Sequence, residues 1–347
     1  MRKISLDNLR LVFVICVVIA HFSQVFSLSH DIFYDVAIIA VKYFFLLSGF
    51  GLTVNNKYNY VYDLNETINF AFHRIKKVYY CYLVIILVTI PIRFIAIFEK
   101  YDFNKAILSL FATIILTPFM LQSAFGLQQL SHLGVPTFWF ISSLFILYLL
   151  YPTISRFIDR IENKLKHKYQ QYLLLFFTYS VSIVIFYFFR LIESNTIFND
   201  LSYTSPYINI FPFIEGMIIG KIMLRNQFSP KNTSFEEISV TLLFIIWIII
   251  CNVFSSIIPY DIKMIINNLI ALLIILIFSF EKGLISKLLS LSNYGKYAMW
   301  LYLLHFSVLL YLNRFVHNVF ISSVFFIIIM LVCCFCIDKI QYYRNRK

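Results

Sequence analysis

Residues 237–257 read EISVTLLFIIWIIICNVFSSI, and after Glu237 no charged side chain interrupts twenty positions. A helix of about 20 residues rises about 30 Å, the thickness of a bilayer's hydrocarbon core, so this run is long enough to cross a membrane. Being apolar on every side, it does not match the one-faced pattern of a helix on a soluble core. Ten similar stretches lie near residues 10–27, 33–54, 77–97, 106–124, 137–157, 172–191, 206–224, 263–280, 296–312 and 318–338. The composition agrees: of 347 residues, 61% are hydrophobic and 13% charged. Soluble domains run at about 45–50% and about 25%, so a water-soluble enzyme is excluded. With 8 Gly, 8 Pro and no biased tract, disorder is not expected. No long linker or solenoid repeat divides the runs, and the expectation is a single domain over residues 1–347, an all-α polytopic membrane protein.

Lysine and arginine mark the cytoplasmic side of such a protein. The formal charge of +12 comes from 29 Lys plus Arg against 17 Asp plus Glu, and the basic residues cluster at the ends of apolar runs, a topology signal and not a nucleic-acid footprint. Arg2 and Lys3 put the N-terminus inside. Segment 55–76, with Lys57, Arg74 and Lys76, and segment 158–171, with Arg160, Lys164, Lys166 and Lys168, should also be cytoplasmic. Three apolar stretches separate them, one too many. From 158–171 onward the alternation holds, with Arg225 and Lys231, Lys282 and Lys287, then Lys339, Arg344, Arg346 and Lys347 inside. About ten crossings with one re-entrant stretch resolve the count and place both termini in the cytoplasm. Stretch 106–124 is the re-entrant candidate, because Pro118 interrupts it and a Gln-rich segment, 122–131, comes after it. The first run lacks a small-residue cleavage site and is expected to be retained. The six cysteines lie within or at the end of apolar runs and read as small core hydrophobes, so neither disulfide nor metal is expected.

Ionisable groups inside membrane helices are costly and therefore point to function. Arg10 and His21 are eleven positions apart, just over three turns, on one helix face and about 16 Å from each other. Arg10 then lies at the cytoplasmic rim and His21 at mid-depth or beyond. Read alone, the pair fits equally a snorkelling anchor with a hydrogen-bonded histidine. Lys42 and Glu215 are two further buried charges. They pair with each other, or Glu215 orients His21, and both arrangements stay open.

The order of motifs resembles acyltransferase family 3, the integral-membrane O-acyltransferases of surface polysaccharides. Leu6-Asp7-Asn8-Leu9-Arg10 followed by His21 is similar to the family's LDxLR and distant histidine, and Phe44-Phe45-Leu46-Leu47-Ser48-Gly49-Phe50 to FFxLSGF. Arg74-Ile75-Lys76-Lys77 resembles an arginine pair opening the third helix. Phe138-Trp139-Phe140 through Tyr148 and Pro152 resembles a WFL…LYLL…P helix, and Leu301-Tyr302-Leu303-Leu304-His305 a late YLLH. Lys77 stands where a second arginine is usual, replacing a guanidinium fork by a point charge. Tyr80 replaces a common proline, and Leu144 stands where one branch has a glutamate. No segment follows the last run, which matches the branch without a fused extracytoplasmic esterase-like domain.

The resemblance implies transfer of an acyl group, acetyl in the first instance, from cytoplasmic acetyl-CoA or another acyl-CoA to a hydroxyl of an extracytoplasmic or lipid-linked glycan. It also implies a multi-pass protein of the cell membrane, in contact with lipid and with a polysaccharide synthesis or export system, and no nucleic acid. Acyl transfer needs a base for the hydroxyl proton, donors for the oxyanion and cations for the anionic donor. His21, with Arg10, is the catalytic candidate. Arg74, Lys77 and Ser48 are assigned to acyl-CoA, and Trp139, Tyr148, Glu215 and His305 to the substrate or a supporting role. Each has a plainer reading: Arg74 and Lys77 as topology anchors, Ser48 as a close-packing residue beside Gly49, Trp139 and Tyr148 as core aromatics, His305 as a carbonyl-bonded histidine. The rivals in function are a secondary transporter and a polysaccharide export subunit, both using the same intramembrane charges.

Overall fold

The structure is a computed structural model and describes residues 3–28, 32–55, 63–100, 103–132, 134–165, 167, 169–196, 198–225, 233–316 and 318–345. Its helices are α1 (Ile4–Val25), α2 (Ile32–Val54), α3 (Leu64–Lys100), α4 (Phe103–Leu116), the single turn α5 (Gln128–Ser131), α6 (Trp139–Glu162), α7 (Tyr169–Asn195), α8 (Pro206–Leu224), α9 (Thr233–Val253), α10 (Tyr260–Phe278), the short α11 (Leu284–Leu289), α12 (Ala298–Phe315) and α13 (Val319–Asn345). Short 3-10 turns at Pro136–Phe138 and Tyr294–Tyr297 lead into α6 and α12. Among the described residues there is no strand, and nine helices are long and apolar enough to cross a membrane. With 18 residues, α12 is the tenth, its apolar character diluted by His305, Asn313 and Arg314.

Ion pairs show which helix ends share a face. On the face of the N-terminus, Lys3 pairs with Glu281 at 3.3 Å, Lys221 with Asp159 at 2.5 Å and Arg225 with Glu162 at 3.4 Å. On the opposite face, Arg190 pairs with Asp261 at 2.9 Å and Arg314 with Glu99 at 2.8 Å. Each of these pairs joins ends that ten alternating crossings put on the same side. The positive-inside rule makes the first face cytoplasmic. Of the residues that set the orientation, Arg2, Lys57, Lys166, Lys168, Lys231, Arg346 and Lys347 lie outside the described residues, as do the side chains of Lys77 and Arg344.

The re-entrant stretch consists of α4 and the turns at residues 117–127. Leaving the outer end of α3, α4 has 14 residues, too few to cross. It stops at Thr117 and Pro118, whose carbonyls accept hydrogen bonds from Tyr82 and Tyr79 of α3 at 2.6 and 3.0 Å. The chain then turns back: Ala124 O accepts from the Tyr207 hydroxyl, and Gly126 O from Asp200 N, both partners lying at or just before the outer end of α8. The buried Ser123 hydroxyl donates to Ser142 of α6 at 2.7 Å, and Ser143 of α6 donates to Thr204 O at 2.5 Å. Polar backbone within a bilayer survives only when buried in protein this way. One expectation is corrected: segment 55–76 is not all connector, because α3 begins at Leu64, with Asp63 Oδ1 accepting from Leu64 N at 2.6 Å and the Asp63 carbonyl from the Thr67 hydroxyl at 2.9 Å. Buried Phe70, Ala71 and Ile75 anchor this polar first part against the protein.

Helix α2 is the axis of the packing, with 78% of its central window buried against 17% for α7, α9 and α13, which face outward. Its main partner is α8, and the two backbones touch. A Cβ on Gly49 would overlap the Phe213 carbonyl, and one on Gly216 the Leu46 carbonyl. Small residues let membrane helices approach this closely. Gly216→Ala should therefore lower the apparent unfolding temperature in detergent, a loss of about 1–3 kcal/mol or more from overpacking. Gly51→Ala, whose added methyl meets nothing within 4 Å, should leave it unchanged in the same scan.

Candidate functional site

The site is built on the first two turns of α1. Asn8 Nδ2 donates to the carbonyls of Leu289 and Ser292, at 2.5 Å each, and Asn8 Oδ1 accepts from Gly295 N at 2.6 Å. Arg10 Nη2 donates to Gly295 O at 3.2 Å and pairs with Asp7 at 3.3 Å. A Cβ on Gly295 would overlap the Asp7 carbonyl, so α1 and the turn before α12 fit only with glycine there. Tyr43 of α2 donates to Leu6 O at 2.9 Å. These contacts fix the relative depth of α1, α2 and α12.

A cavity of about 260 Å³ lies among α1, α2, α3, α6 and α12. Lys3 and Asn55, at the inner ends of α1 and α2, stand at its cytoplasmic end, and Arg10, Arg74, Ser48 and Tyr148 line it. The guanidinium of Arg74 lies over the Phe70 ring at 5.7 Å, while Ser48 donates to Phe44 O at 2.8 Å and faces the Tyr148 hydroxyl. Four residues from four separate sequence motifs thus share one cationic pocket, which Phe140 and Tyr302 close at depth.

His21 and His305 are together, but beyond that pocket. Their rings stack at 5.4 Å between centroids and 28° between planes, with Phe306 edge-on to His21 at 5.2 Å. His305 Nδ1–H donates to Tyr302 O at 2.7 Å, which in the neutral ring leaves the lone pair on Nε2, buried and without a hydrogen-bond partner among the described residues. His21 Nδ1 lies 3.3 Å from Gln24 Oε1. Tyr302, whose hydroxyl donates to Thr137 O, stands between the pocket and the pair, its ring 5.8 Å from that of His305.

The remaining candidates are elsewhere. Trp139 packs on Tyr203 at 5.1 Å and Phe45 at 6.5 Å, outside both the pocket and the histidine pair, so it is a core aromatic here. Glu215 is fully buried in α8, with neither carboxylate oxygen hydrogen-bonded among the described residues. Lys42 is its charged neighbour, yet donates to Asn209 Oδ1 at 2.8 Å instead. The pairing of Glu215 with His21 is not found among the described residues. The side chain of Lys77 lies outside what the structure describes.

A family model for an acyltransferase domain, that of acyltransferase family 3, matches residues 3–339. The chain belongs to this family. It is a multi-pass membrane acyltransferase. Comparison with curated proteins and with solved structures gave no significant match. Within the acyltransferase, the sequence motifs missed two residues that hold the site. Asn8 occupies the unspecified position of the LDxLR-like stretch, and its only outward signal was a polar residue at the head of an apolar run. Tyr302 was quoted in a motif without a role, and only its contacts give it one.

Asn8→Ala should remove three short hydrogen bonds and strand the backbone groups that made them, a cost of about 1–3 kcal/mol for each buried group left unsatisfied. Lower thermal stability in detergent is the expected result, and Asn8→Asp, whose second carboxylate oxygen would face the Leu289 and Ser292 carbonyls, should not restore it.

Proposed function

We propose that this acyltransferase moves an acetyl or other short acyl group from cytoplasmic acyl-CoA to a hydroxyl of an extracytoplasmic or lipid-linked glycan, in the cell membrane, with His21 as general base. The observation that carries the reading is a cavity with two guanidiniums, Arg10 and Arg74, at its cytoplasmic side and a blind end at Tyr302, three residues from the His21–His305 stack. Three residues of α12 rise about 4.5 Å, and Arg10 to His21 is about 16 Å on α1. The phosphates of the donor would meet Arg74, with Lys77 and Arg10, and the thin pantetheine arm would run along the pocket past Ser48 and Tyr148.

In the transfer, the acceptor hydroxyl gives its proton to His21 Nε2 as its oxygen attacks the thioester carbonyl. The carbon–sulfur bond then breaks, and the departing thiolate collects the proton. His305, held by its Nδ1–H on the Tyr302 carbonyl, keeps a second imidazole face parallel to His21 and fixes its orientation. The apolar rings of Phe140, Phe306 and Tyr302 exclude water from the thioester, which favours transfer over hydrolysis.

Purified protein in sealed vesicles tests this. His21→Ala should keep acyl-CoA binding and lose transfer by about 10²–10⁴-fold, the usual worth of a general base. Transfer at near wild-type rate would make His21 structural. Arg74→Ala should raise the KM for acyl-CoA more than it lowers kcat, because a phosphate contact persists from ground state to transition state. Lys77→Arg should be tolerated. Solute movement without thioester consumption would replace the enzyme by a transporter.

A further inference from the structure

A second cavity, of about 470 Å³, lies at the outer ends of α3 and α12, where Arg93, Glu99, Asn313 and Arg314 meet the apolar Ile92 and Leu310. We infer that it is the acceptor's binding site, and that it takes the phosphate-bearing head of a lipid-linked glycan entering from the outer leaflet. The inference deepens the proposed transfer and rests on it for the identity of the acceptor.

Three features support this. The first is position. The two helices are pinned just below the cavity by Thr89 donating to Ser307 at 2.7 Å and Tyr311 donating to Val88 O at 2.5 Å. Leu310 is five residues from His305, about 7.5 Å along α12, while Tyr302, at the end of the inner pocket, is three residues away on the other side. The two cavities therefore lie at depths on either side of the histidine pair along α12. Arg93 also donates to the carbonyl of His132 at 3.4 Å, which ties the cavity wall to the segment that leads into α6.

The second is charge. Among the described residues, two guanidiniums stand against one carboxylate, with Arg314 and Glu99 bridged at 2.8 and 3.3 Å through both of their forks. That pair is about half exposed, so rearrangement around a ligand costs little. Guanidinium groups match phosphate oxygens, and the exposed Asn313 amide and Glu99 carboxylate match sugar hydroxyls. The third is the mouth. Ile95, 41% exposed, lines the cavity, and Phe94 and Phe315, 45% and 70% exposed, are the chain neighbours of its Arg93 and Arg314, an apolar surface at a helix end that meets lipid and not water. A cavity that opens beside such a surface lets the acyl or prenyl tail of a bound lipid stay in the bilayer.

A phosphate on a lipid also describes bulk phospholipid, and the test separates the two. The whole protein, in phosphatidylcholine nanodiscs and without acyl-CoA, would be titrated with a short polyprenyl diphosphate carrying one sugar and, separately, with phosphatidylglycerol. The polyprenyl-linked sugar should bind at least tenfold more tightly, Arg93→Gln and Arg314→Gln should each weaken it tenfold or more, and Glu99→Gln should tighten it. Acyl-CoA affinity, measured separately, should stay unchanged in all three variants. Equal affinity for the two lipids, or an unchanged dissociation constant in both arginine variants, would overturn the assignment. The gain in Glu99→Gln cannot come from misfolding, so it decides the matter even if an arginine variant is unstable. Because no donor is present, loss of the proposed reaction and loss of this site give different results.

Discussion

Backbone contact between α2 and α8 is the constraint on which the rest of the molecule depends. Water gives membrane helices no hydrophobic drive to associate, so the close approach allowed at Gly49 and Gly216 supplies the dispersion that side chains on larger residues would block. That crossing sets where α2 sits, and α2 in turn carries Ser48 into the inner cavity, Tyr43 to the α1 backbone and Lys42 to Asn209. A shift of one turn in α2 would separate Ser48 from Tyr148 and remove the floor under Arg10.

The two ends of the bundle then divide the chemistry. At the cytoplasmic end, Asn8 and Gly295 lock α1 to the turn before α12, and the pocket that results brings together residues from α1, α2, α3 and α6. At the outer end, α3 and α12 part and leave room between Arg93 and Arg314. Helix α12 belongs to both, which explains its composition. It carries a histidine, an asparagine and an arginine because these line the histidine cluster and the outer cavity. Burial obeys the same division, with Leu303 and His305 wholly enclosed and Phe315 exposed.

Much of the fold was legible in the sequence because the bilayer makes length and charge decisive. Runs of about 20 apolar residues and the placement of lysine and arginine gave the crossings, and Pro118 with the polar segment after it marked the stretch that turns back. The start of α3 was missed, since a helix that emerges from the membrane loses its apolar signal while keeping its hydrogen bonds. Within the site, Arg10, Ser48, Arg74 and Tyr148 were each readable from a motif, and their convergence is a property of three dimensions alone. Trp139 and Glu215 show the opposite case: an aromatic and a buried carboxylate look alike in sequence whether they line a pocket or pack between helices. Tyr302, Asn8 and Arg93 act through backbone carbonyls, which no side-chain pattern records.

An enzyme with an opening on each face of a membrane also has to be an insulator. The layer between the inner pocket and the outer cleft is made of Tyr302, Phe140, Phe306 and the stacked imidazoles, and beside it the rings of Tyr82 and Phe138 stack at 4.7 Å. The hydroxyls of Ser123 in the re-entrant turn and of Ser142 and Ser143 in α6 are engaged with one another and with backbone. With water in both cavities, the membrane potential would fall mainly across this layer of rings, and the two stacked histidines would lie inside that drop.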